Sequence, residues 1–263
     1  MTVILLTNDD GVYSAGLRAS YEALKDLGDV YVVSPAVQKS AVGRSISIME
    51  PIRVSEVSID GMEAYAVDGT PTDSVIIGIH EIIKRVPDVV VCGINIGENI
   101  SSESVTTSGT VGAALEAATQ DAPSIAVSLQ VPDIEKFESF SQKFDFTLAK
   151  KVLAAVVKKV NRGMPRGVDV LNVNIPLDFS GGLEVTYLAR RLYRTRIEER
   201  LDPRGRKYYW IDGVEIEDEK EGTDLQALRK GKVSITPITL DSTARVDLED
   251  LKRWFHGMEQ HME

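Results

Sequence analysis

Residues 3–11 read VILLTNDDG, and this stretch decides the class of fold. Its first five residues form a short, largely apolar run, as in a parallel strand that is buried on both faces of a sheet. A polar turn, Asn8–Gly11, follows. Apolar residues then recur at helical spacing, namely Leu17, Tyr21, Leu24 and Leu27, and Gly28 can end this helix. The stretch and its surroundings therefore predict the opening strand and helix of an α/β fold.

Strand and helix signals continue to alternate through the first two thirds of the chain. Further buried strands are predicted at Val30–Val33, Asp88–Val91, Ser124–Leu129 and Val170–Asn174. Helices are predicted at about Asp73–Ile83, Thr110–Thr119 and Phe140–Val160. Residues 36–47 and 92–107 have the composition of loops, and residues 48–67 that of two β-prone stretches around an Asp60–Gly61 turn. The alternation predicts a Rossmann-like, doubly wound, mostly parallel α/β sheet.

The last third of the chain has a different pattern. Residues 183–213 combine alternating β-prone residues with Arg-rich segments and the turn sequence Asp-Pro-Arg-Gly at 202–205, which predicts a protruding β-hairpin arm. Lys232–Thr236 predicts one more strand, and Leu248–His256 predicts a C-terminal helix. We therefore divide the chain into an α/β core at 1–180 and a second part at 181–263. That part holds the arm, the final core strand and a C-terminal helix.

The composition of the chain argues against several classes of protein. The chain has 263 residues and a formal net charge of −10, which argues against binding a nucleic-acid duplex, because phosphate backbones attract clustered Lys and Arg. Cys92 is the only cysteine, so no intramolecular disulfide can form. No long apolar run and no signal-peptide pattern is present. We therefore expect a cytoplasmic protein that does not span a membrane.

Two adjacent carboxylates, Asp9 and Asp10, follow the first strand. Ligands of open α/β sheets bind at the carboxyl ends of the strands, so this position favours a functional site. Neighbouring carboxylates repel each other unless a cation lies between them, and their hard oxygen atoms suit Mg²⁺ or Mn²⁺. The alternative is a helix N-cap, a position that Asp and Asn also favour.

Two more polar clusters follow predicted strands. Asn95 comes after the third buried strand and could offer a neutral carbonyl oxygen to a metal, although turn chemistry explains Asn and Gly equally well there. The sequence Ser108-Gly109-Thr110 enters a helix, where exposed backbone N–H groups and the helix dipole favour an anion such as phosphate. The alternative for this cluster is a simple N-cap with close helix packing through Gly112.

Taken together, these clusters resemble the SurE (survival protein E) family. The matching segments keep the family order: ILLTNDDG (4–11), VVSPAVQKSAVGRSISI (32–48), VDGTPTDSV (67–75), PDVVVCGINIGEN (87–99), SGTVGAALEAA (108–118), LNVNIP (171–176) and GTDLQALRKGKVSITPI (222–238). The resemblance implies a metal-dependent phosphomonoesterase, a 5′-nucleotidase that hydrolyses nucleoside 5′- and 3′-monophosphates. It also implies that the core at 1–180 is catalytic and that the hairpin arm and C-terminal helix of 181–263 are involved in oligomerisation. The expected assembly is a homodimer or homotetramer in which protomers exchange the hairpin and the C-terminal segment.

The resemblance also implies a set of site residues. One divalent ion, Mg²⁺ or Mn²⁺, would be held by Asp9, Asp10, Ser40 and Asn95. The catalytic residues would be Asp9, Asp10 and Asn95. The substrate phosphate would be bound by Asn8, Gly43, Ser45, Ser108, Gly109 and Thr110. Whether Asp9 or Asp10 serves as a general base or a nucleophile stays open at this point.

The sequence departs from the family pattern in two places, and two other functions compete. The segment after Asn99 reads ISSESVTTS, without the Gly, Asp and Tyr common in the family, so no base preference can be carried over. Cys92 replaces the first Ser of the usual Ser-Gly-Ile-Asn, a nearly isosteric change. A non-catalytic nucleotide sensor would use the same anion site. A metal-dependent deacetylase could also carry an Asp-Asp pair, but it would need His ligands that this region lacks.

Overall fold

The computed structural model describes residues 2–132, 144–216, 220–256 and 258. Its main sheet has nine strands in the order β3-β4-β2-β1-β5-β6-β7-β11-β8. These strands are β1 Val3–Thr7, β2 Asp29–Pro35, β3 Val54–Ile59, β4 Met62–Val67, β5 Val89–Ile96, β6 Ser124–Leu129, β7 Val170–Ile175, β8 Leu183–Val185 and β11 Val233–Ile238. The run from β4 to β7 is parallel throughout, whereas β3 and β11 pair antiparallel with their neighbours β4 and β7. The predicted mostly parallel α/β sheet is thus confirmed.

Helices cover both faces of this sheet. They are α1 Ala15–Leu24, α2 Pro71–Ile77, α3 Ser101–Thr107, α4 Gly109–Thr119, α5 Thr147–Val160, α6 Asp224–Arg229 and α7 Leu248–Trp254, and a π-helical segment, Gly78–Ile83, continues α2. Successive side chains of a strand point to opposite faces, so Ile4 and Leu6 pack in one core cluster and Leu5 in the other. A strand buried on both faces in this way explains the largely apolar sequence with which the chain begins.

The hairpin arm is present as a separate two-stranded sheet. Its strands, β9 Tyr193–Leu201 and β10 Lys207–Glu215, pair antiparallel along their whole length. The turn between them is closed by the Asp202 carboxylate, which accepts hydrogen bonds from the backbone N–H groups of Arg204 at 2.8 Å and Arg206 at 2.9 Å. The predicted hairpin is therefore confirmed, but it begins at Tyr193, and Leu183–Val185, which were predicted to be part of the arm, form β8 of the main sheet. No helix in the described ranges is long and apolar enough to cross a membrane.

Three predicted boundaries were wrong. The strand predicted to end at Val91 runs on to Ile96 as β5, because a bulge with a shift of register between Cys92 and Asn95 lets it pair further with β6. The predicted helix at 73–83 is divided into α2 and the π-helical segment. The long helix predicted to begin near Phe140 begins at Thr147 as α5, and residues 140–143 lie outside the described part of the chain.

Two short helices, α3 and α6, were not predicted. The α3 sequence is mostly Ser and Thr, whose hydroxyl groups compete for backbone hydrogen bonds and weaken helix formation. Its first residue, Ser101, donates its backbone N–H to the buried carboxylate of Asp224 in α6 at 2.8 Å. The same carboxylate accepts the backbone N–H of Ala189 at 2.8 Å. Contacts between distant parts of the chain therefore define this region.

Candidate metal and phosphate site

The turn that follows β1 is fixed by the side chain of Asn8. Its amide group donates to the carbonyl oxygen of Gly11 at 3.2 Å and to the hydroxyl of Ser14 at 2.6 Å. Its Oδ1 accepts from the backbone N–H of Gly11 at 3.2 Å and from the hydroxyl of Ser34. Asn8 is fully buried. Asn8 was predicted to bind phosphate, which stays a prediction, and in this structure its side-chain amide shapes the turn that presents the next two residues.

The carboxylates of Asp9 and Asp10 are buried side by side, with residue exposures of 6 % and 2 %. Asp9 Oδ1 accepts a hydrogen bond from the hydroxyl of Thr110, and Asp10 Oδ2 accepts one from the backbone N–H of Ile96 at 3.1 Å. Burial raises the pKa of Asp9. Burial, together with the charge of Asp9, raises the pKa of Asp10 to about 8. No Lys or Arg among the described residues forms an ion pair with either carboxylate, so the pair lacks a compensating cation from the protein.

Asn95 lies beside this pair, at the end of β5. The neighbouring backbone N–H of Ile96 contacts Asp10, and the Nδ2 group of Asn95 donates to the carbonyl oxygen of Gly97 at 2.7 Å. The amide nitrogen is a donor and is used in that hydrogen bond, so Oδ1 is the atom of this side chain that could bind a cation. The parallel pairing of β1 with β5 thus brings the first two polar clusters of the sequence together.

Ser40 lies on the loop after β2, next to a residue that contacts Asp9. The backbone N–H of Lys39 donates to the carbonyl oxygen of Asp9 at 2.7 Å, which places Ser40 one residue from that contact. Its side chain is exposed, and its Oγ accepts from Gln38 Nε2 at 3.1 Å. Among the described residues, no group of three or more His, Cys, Asp or Glu side chains could hold a metal. Two carboxylates completed by an amide and a hydroxyl oxygen form an all-oxygen donor set, which fits a hard divalent cation.

The N-terminus of α4 faces the Asp9 carboxylate. Ser108 caps the helix, since its Oγ accepts the backbone N–H of Val111 at 3.1 Å. A Cβ atom added to Gly109 would lie 2.8 Å from Cβ of Asp9, so only glycine allows this close approach. The backbone N–H groups of Gly109 and Thr110 act to lower the pKa of Asp9, against the larger effect of burial. The predicted anion site at this helix N-terminus therefore adjoins the predicted metal site.

The loop at 36–47 is attached to the end of α3 and to the N-cap of α2. Gly43 is buried, with its backbone N–H donating to the carbonyl oxygen of Thr107 at 2.8 Å. The side chain of Ser45 is exposed, and its carbonyl oxygen accepts from the hydroxyl of Thr70 at 2.7 Å. The two predicted phosphate ligands of this loop therefore lie on a segment that is held next to the N-terminal end of α4.

An ion pair that sequence reasoning missed fixes this loop further. Arg44 Nε donates to Glu116 Oε2 at 2.8 Å and Arg44 Nη2 donates to the hydroxyl of Thr119 at 3.3 Å. Glu116 is buried, and its other oxygen accepts from Gln120 Nε2 at 2.9 Å. The sequence carries no local signal for this contact because Arg44 and Glu116 lie 72 positions apart.

Replacing Arg44 with methionine should lower the free energy of unfolding by about 1–3 kcal/mol, because the buried carboxylate of Glu116 loses its cation. The value is at the low end for a buried pair, since the Arg44 side chain is 39 % exposed and water screens the interaction. The double variant Arg44→Met/Glu116→Gln should recover part of the loss, because no uncompensated charge is left. Urea denaturation measures the free energy of unfolding of the single and the double variant. A double variant less stable than Arg44→Met would contradict this explanation.

Comparison with known proteins identifies relatives of the whole chain. The sequence profile of the family described as "Survival protein SurE" matches residues 4–195. A protein of Archaeoglobus fulgidus named 5′-nucleotidase SurE is 62 % identical over 257 residues, which cover 97 % of this chain and 98 % of that one. A protein of the same name from Methanoregula boonei is 59 % identical over 255 residues, covering 96 % of this chain and 98 % of that one.

A solved structure with a similar fold points to the same family as the sequence relatives. The crystal structure of the SurE protein from Aquifex aeolicus matches with a TM-score of 0.79 at 36 % identity, over 97 % of this chain and 98 % of that chain. The residues of the turn after β1, the end of β5 and the N-terminus of α4 all lie within the range that the family profile covers. The chain belongs to the SurE family.

Proposed function

We propose that the protein is a metal-dependent phosphomonoesterase, a 5′-nucleotidase that hydrolyses nucleoside 5′- and 3′-monophosphates to nucleoside and phosphate. One observation carries this proposal: Asp9 and Asp10 are buried side by side at the end of β1, opposite the N-terminus of α4. Such an arrangement combines a place for a cation with a place for an anion. The 5′-nucleotidase name of the relatives from A. fulgidus and M. boonei supports the same reaction.

One divalent cation, Mg²⁺ or Mn²⁺, would be held by Asp9, Asp10, Asn95 and Ser40. When bound, it would supply Lewis-acid polarisation of a phosphoryl oxygen. The protein prepares for the cation by holding two carboxylates in a buried position, where their ionised forms are destabilised until a positive charge arrives. The hydroxyl of Thr110 fixes the orientation of the Asp9 carboxylate, and the N–H of Ile96 does the same for Asp10.

The phosphoryl group would bind between the N-terminus of α4 and the loop at 36–47. The backbone N–H groups of Gly109 and Thr110, which face the Asp9 carboxylate, would be shared with the negative oxygens of the phosphate. The Ser108 hydroxyl can donate a hydrogen to the phosphate while its oxygen caps the helix. Gly43 and Ser45 would line the opposite side, and Asn8 would contribute by holding the turn after β1. The partial positive charge of these N–H groups would let a chain of net charge −10 bind an anionic substrate.

A second copy of the chain is the partner that we propose for the hairpin and the C-terminal helix. The hairpin exposes large apolar side chains, with Trp210 58 % and Ile211 82 % exposed. Helix α7 has no buried residue, and its Trp254 is 76 % exposed. Apolar surface of this extent is typical of contacts between proteins. The division into a catalytic core at 1–180 and an oligomerising part at 181–263 stays a prediction, as does the cytoplasmic setting.

Phosphate release tests the proposed reaction. The substrates are a panel of nucleoside 5′- and 3′-monophosphates with p-nitrophenyl phosphate, each measured in EDTA, in Mg²⁺ and in Mn²⁺. We expect release with at least one metal and none in EDTA. Nucleotide binding without release under any of these conditions would contradict the enzyme and favour the nucleotide sensor.

A further inference from the structure

A cavity of about 320 Å³ lies between the main sheet and the base of the hairpin arm. Gln130 lines it just beyond the end of β6, and Leu177 lines it just beyond the end of β7. Because β1, β5, β6 and β7 are parallel neighbours, their carboxyl ends lie along one edge of the sheet. The cavity and the candidate metal site therefore share the edge at which α/β sheets bind ligands.

One short segment joins the cavity to the metal site. Glu98 lines the cavity and follows Asn95 by three residues, which can span at most about 10 Å. Between them, the backbone N–H of Ile96 contacts Asp10, and the carbonyl oxygen of Gly97 accepts from the side chain of Asn95. A ligand whose phosphate lies at the metal site could therefore extend its other end into the cavity.

Residues 98–100, which form one wall of the cavity, are held in place by a network of buried side-chain amides. The carbonyl oxygen of Asn99 accepts from the side-chain amides of Asn172 at 2.7 Å and Asn174 at 3.2 Å. The backbone N–H of Asn99 donates to Asn174 Oδ1 at 2.8 Å, and its side chain donates to the Ser128 hydroxyl at 2.9 Å. Because Asn99 is fixed in this way, Glu98 and Ile100 on either side of it line a preformed cavity.

The lining favours a neutral ligand that donates hydrogen bonds. Its apolar walls include Ile100 and Leu192, and its polar groups include three carboxylates, those of Glu98, Asp178 and Glu215. The single guanidinium of the lining, that of Arg229, donates to Glu215 at 2.7 Å. This excess of negative charge repels phosphate, whereas carboxylate oxygens accept hydrogens from hydroxyl and amino groups.

We propose that this cavity binds the nucleoside part of a nucleoside monophosphate, with the ribose hydroxyls and base amino groups directed to its carboxylates. The inference rests on the proposed function, since the phosphate of the same molecule would lie between Asp9 and α4. The metal site and the cavity would therefore bind different parts of the same ligand. The metal site takes the anionic group, and the cavity takes the uncharged group that distinguishes a nucleotide from simpler phosphate esters.

The variant Leu177→Trp tests the cavity because it adds a large side chain at a lining position that is 50 % exposed, where folding should tolerate it. It should lower kcat/KM for AMP by roughly tenfold or more, mainly through KM, and leave kcat/KM for p-nitrophenyl phosphate within about twofold. The matched control is Leu183→Trp, which makes the same change at a 52 % exposed position outside the lining and should leave both substrates unaffected.

Calorimetric titration with adenosine separates this proposal from the reaction itself. Without metal, adenosine should bind the wild type, Leu183→Trp and Asp9→Asn, and should bind Leu177→Trp roughly tenfold more weakly. The same pattern in a protein that hydrolyses no phosphate ester would support the cavity and refute the reaction. AMP hydrolysis that is equally fast in Leu177→Trp, or adenosine binding that the substitution does not weaken, would overturn the cavity assignment.

Discussion

Replacing Asp9 with asparagine should lower kcat/KM for nucleoside monophosphates by about 10³-fold, an effect typical of removing a central electrostatic group. Asp9 links two elements: it follows β1 by two residues, and its carboxylate accepts the Thr110 hydroxyl and faces the backbone N–H groups at the start of α4. Asparagine has the same shape but no negative charge, so it would bind a divalent cation far more weakly. Phosphate release at several metal concentrations measures the effect.

The exposed residue Asp26, between the end of α1 and the start of β2, offers a matched control for this substitution. Asp26→Asn removes the same charge at the edge of the sheet opposite the carboxyl ends of the strands, so it should retain wild-type kinetics. A uniform effect of net charge on substrate binding would instead appear in both variants. Full metal-dependent activity in Asp9→Asn would contradict the assignment of Asp9 as a metal ligand.

The sequence predicts the core of the fold well because parallel strands buried on both faces need nearly continuous apolar residues. Val3–Thr7 and Ser124–Leu129 were predicted with the bounds that the structure has. The carboxyl ends of such strands are also predictable, so Asp9, Asp10 and Asn95 could be expected at one edge before the fold was known. Local sequence therefore carries most of the information about this part of the site.

The features that were missed depend on contacts between distant residues. Helix α3 has a sequence of low helix propensity, and Asp224 fixes its first turn from 123 positions away. The Arg44–Glu116 pair likewise joins a loop to a helix that only the folded chain brings together. Ser40 lies in a loop without regular structure, so only the family resemblance pointed to it. Periodicity in the sequence reflects residues that lie close together along the chain, whereas these contacts join residues that lie far apart in it.

Replacing Asp10 with asparagine should stabilise the metal-free protein at alkaline pH, although we expect it to impair activity. In the folded protein the pKa of Asp10 is raised to about 8 from an ordinary value of 3.8. The folded state therefore binds more protons than the unfolded state between these values, and wild-type stability should fall across this range as the pH rises. The slope for one group is on the order of 1 kcal/mol per pH unit at most. Asparagine does not titrate, and its Oδ1 can still accept the N–H of Ile96.

Thermal unfolding in EDTA from pH 4 to pH 9 measures this effect. Below the ordinary pKa of an aspartate, Asp10 is protonated in both states, so the difference between wild type and Asp10→Asn should shrink. Adding Mg²⁺ or Mn²⁺ at alkaline pH should raise the unfolding temperature of the wild type much more than that of the variant, because a cation that binds only the folded state stabilises it. Asp26→Asn should follow the wild type throughout. If the wild type in EDTA kept constant stability relative to Asp10→Asn over this range, burial of the carboxylate pair would not be costly, and the main argument for a cation between Asp9 and Asp10 would fail.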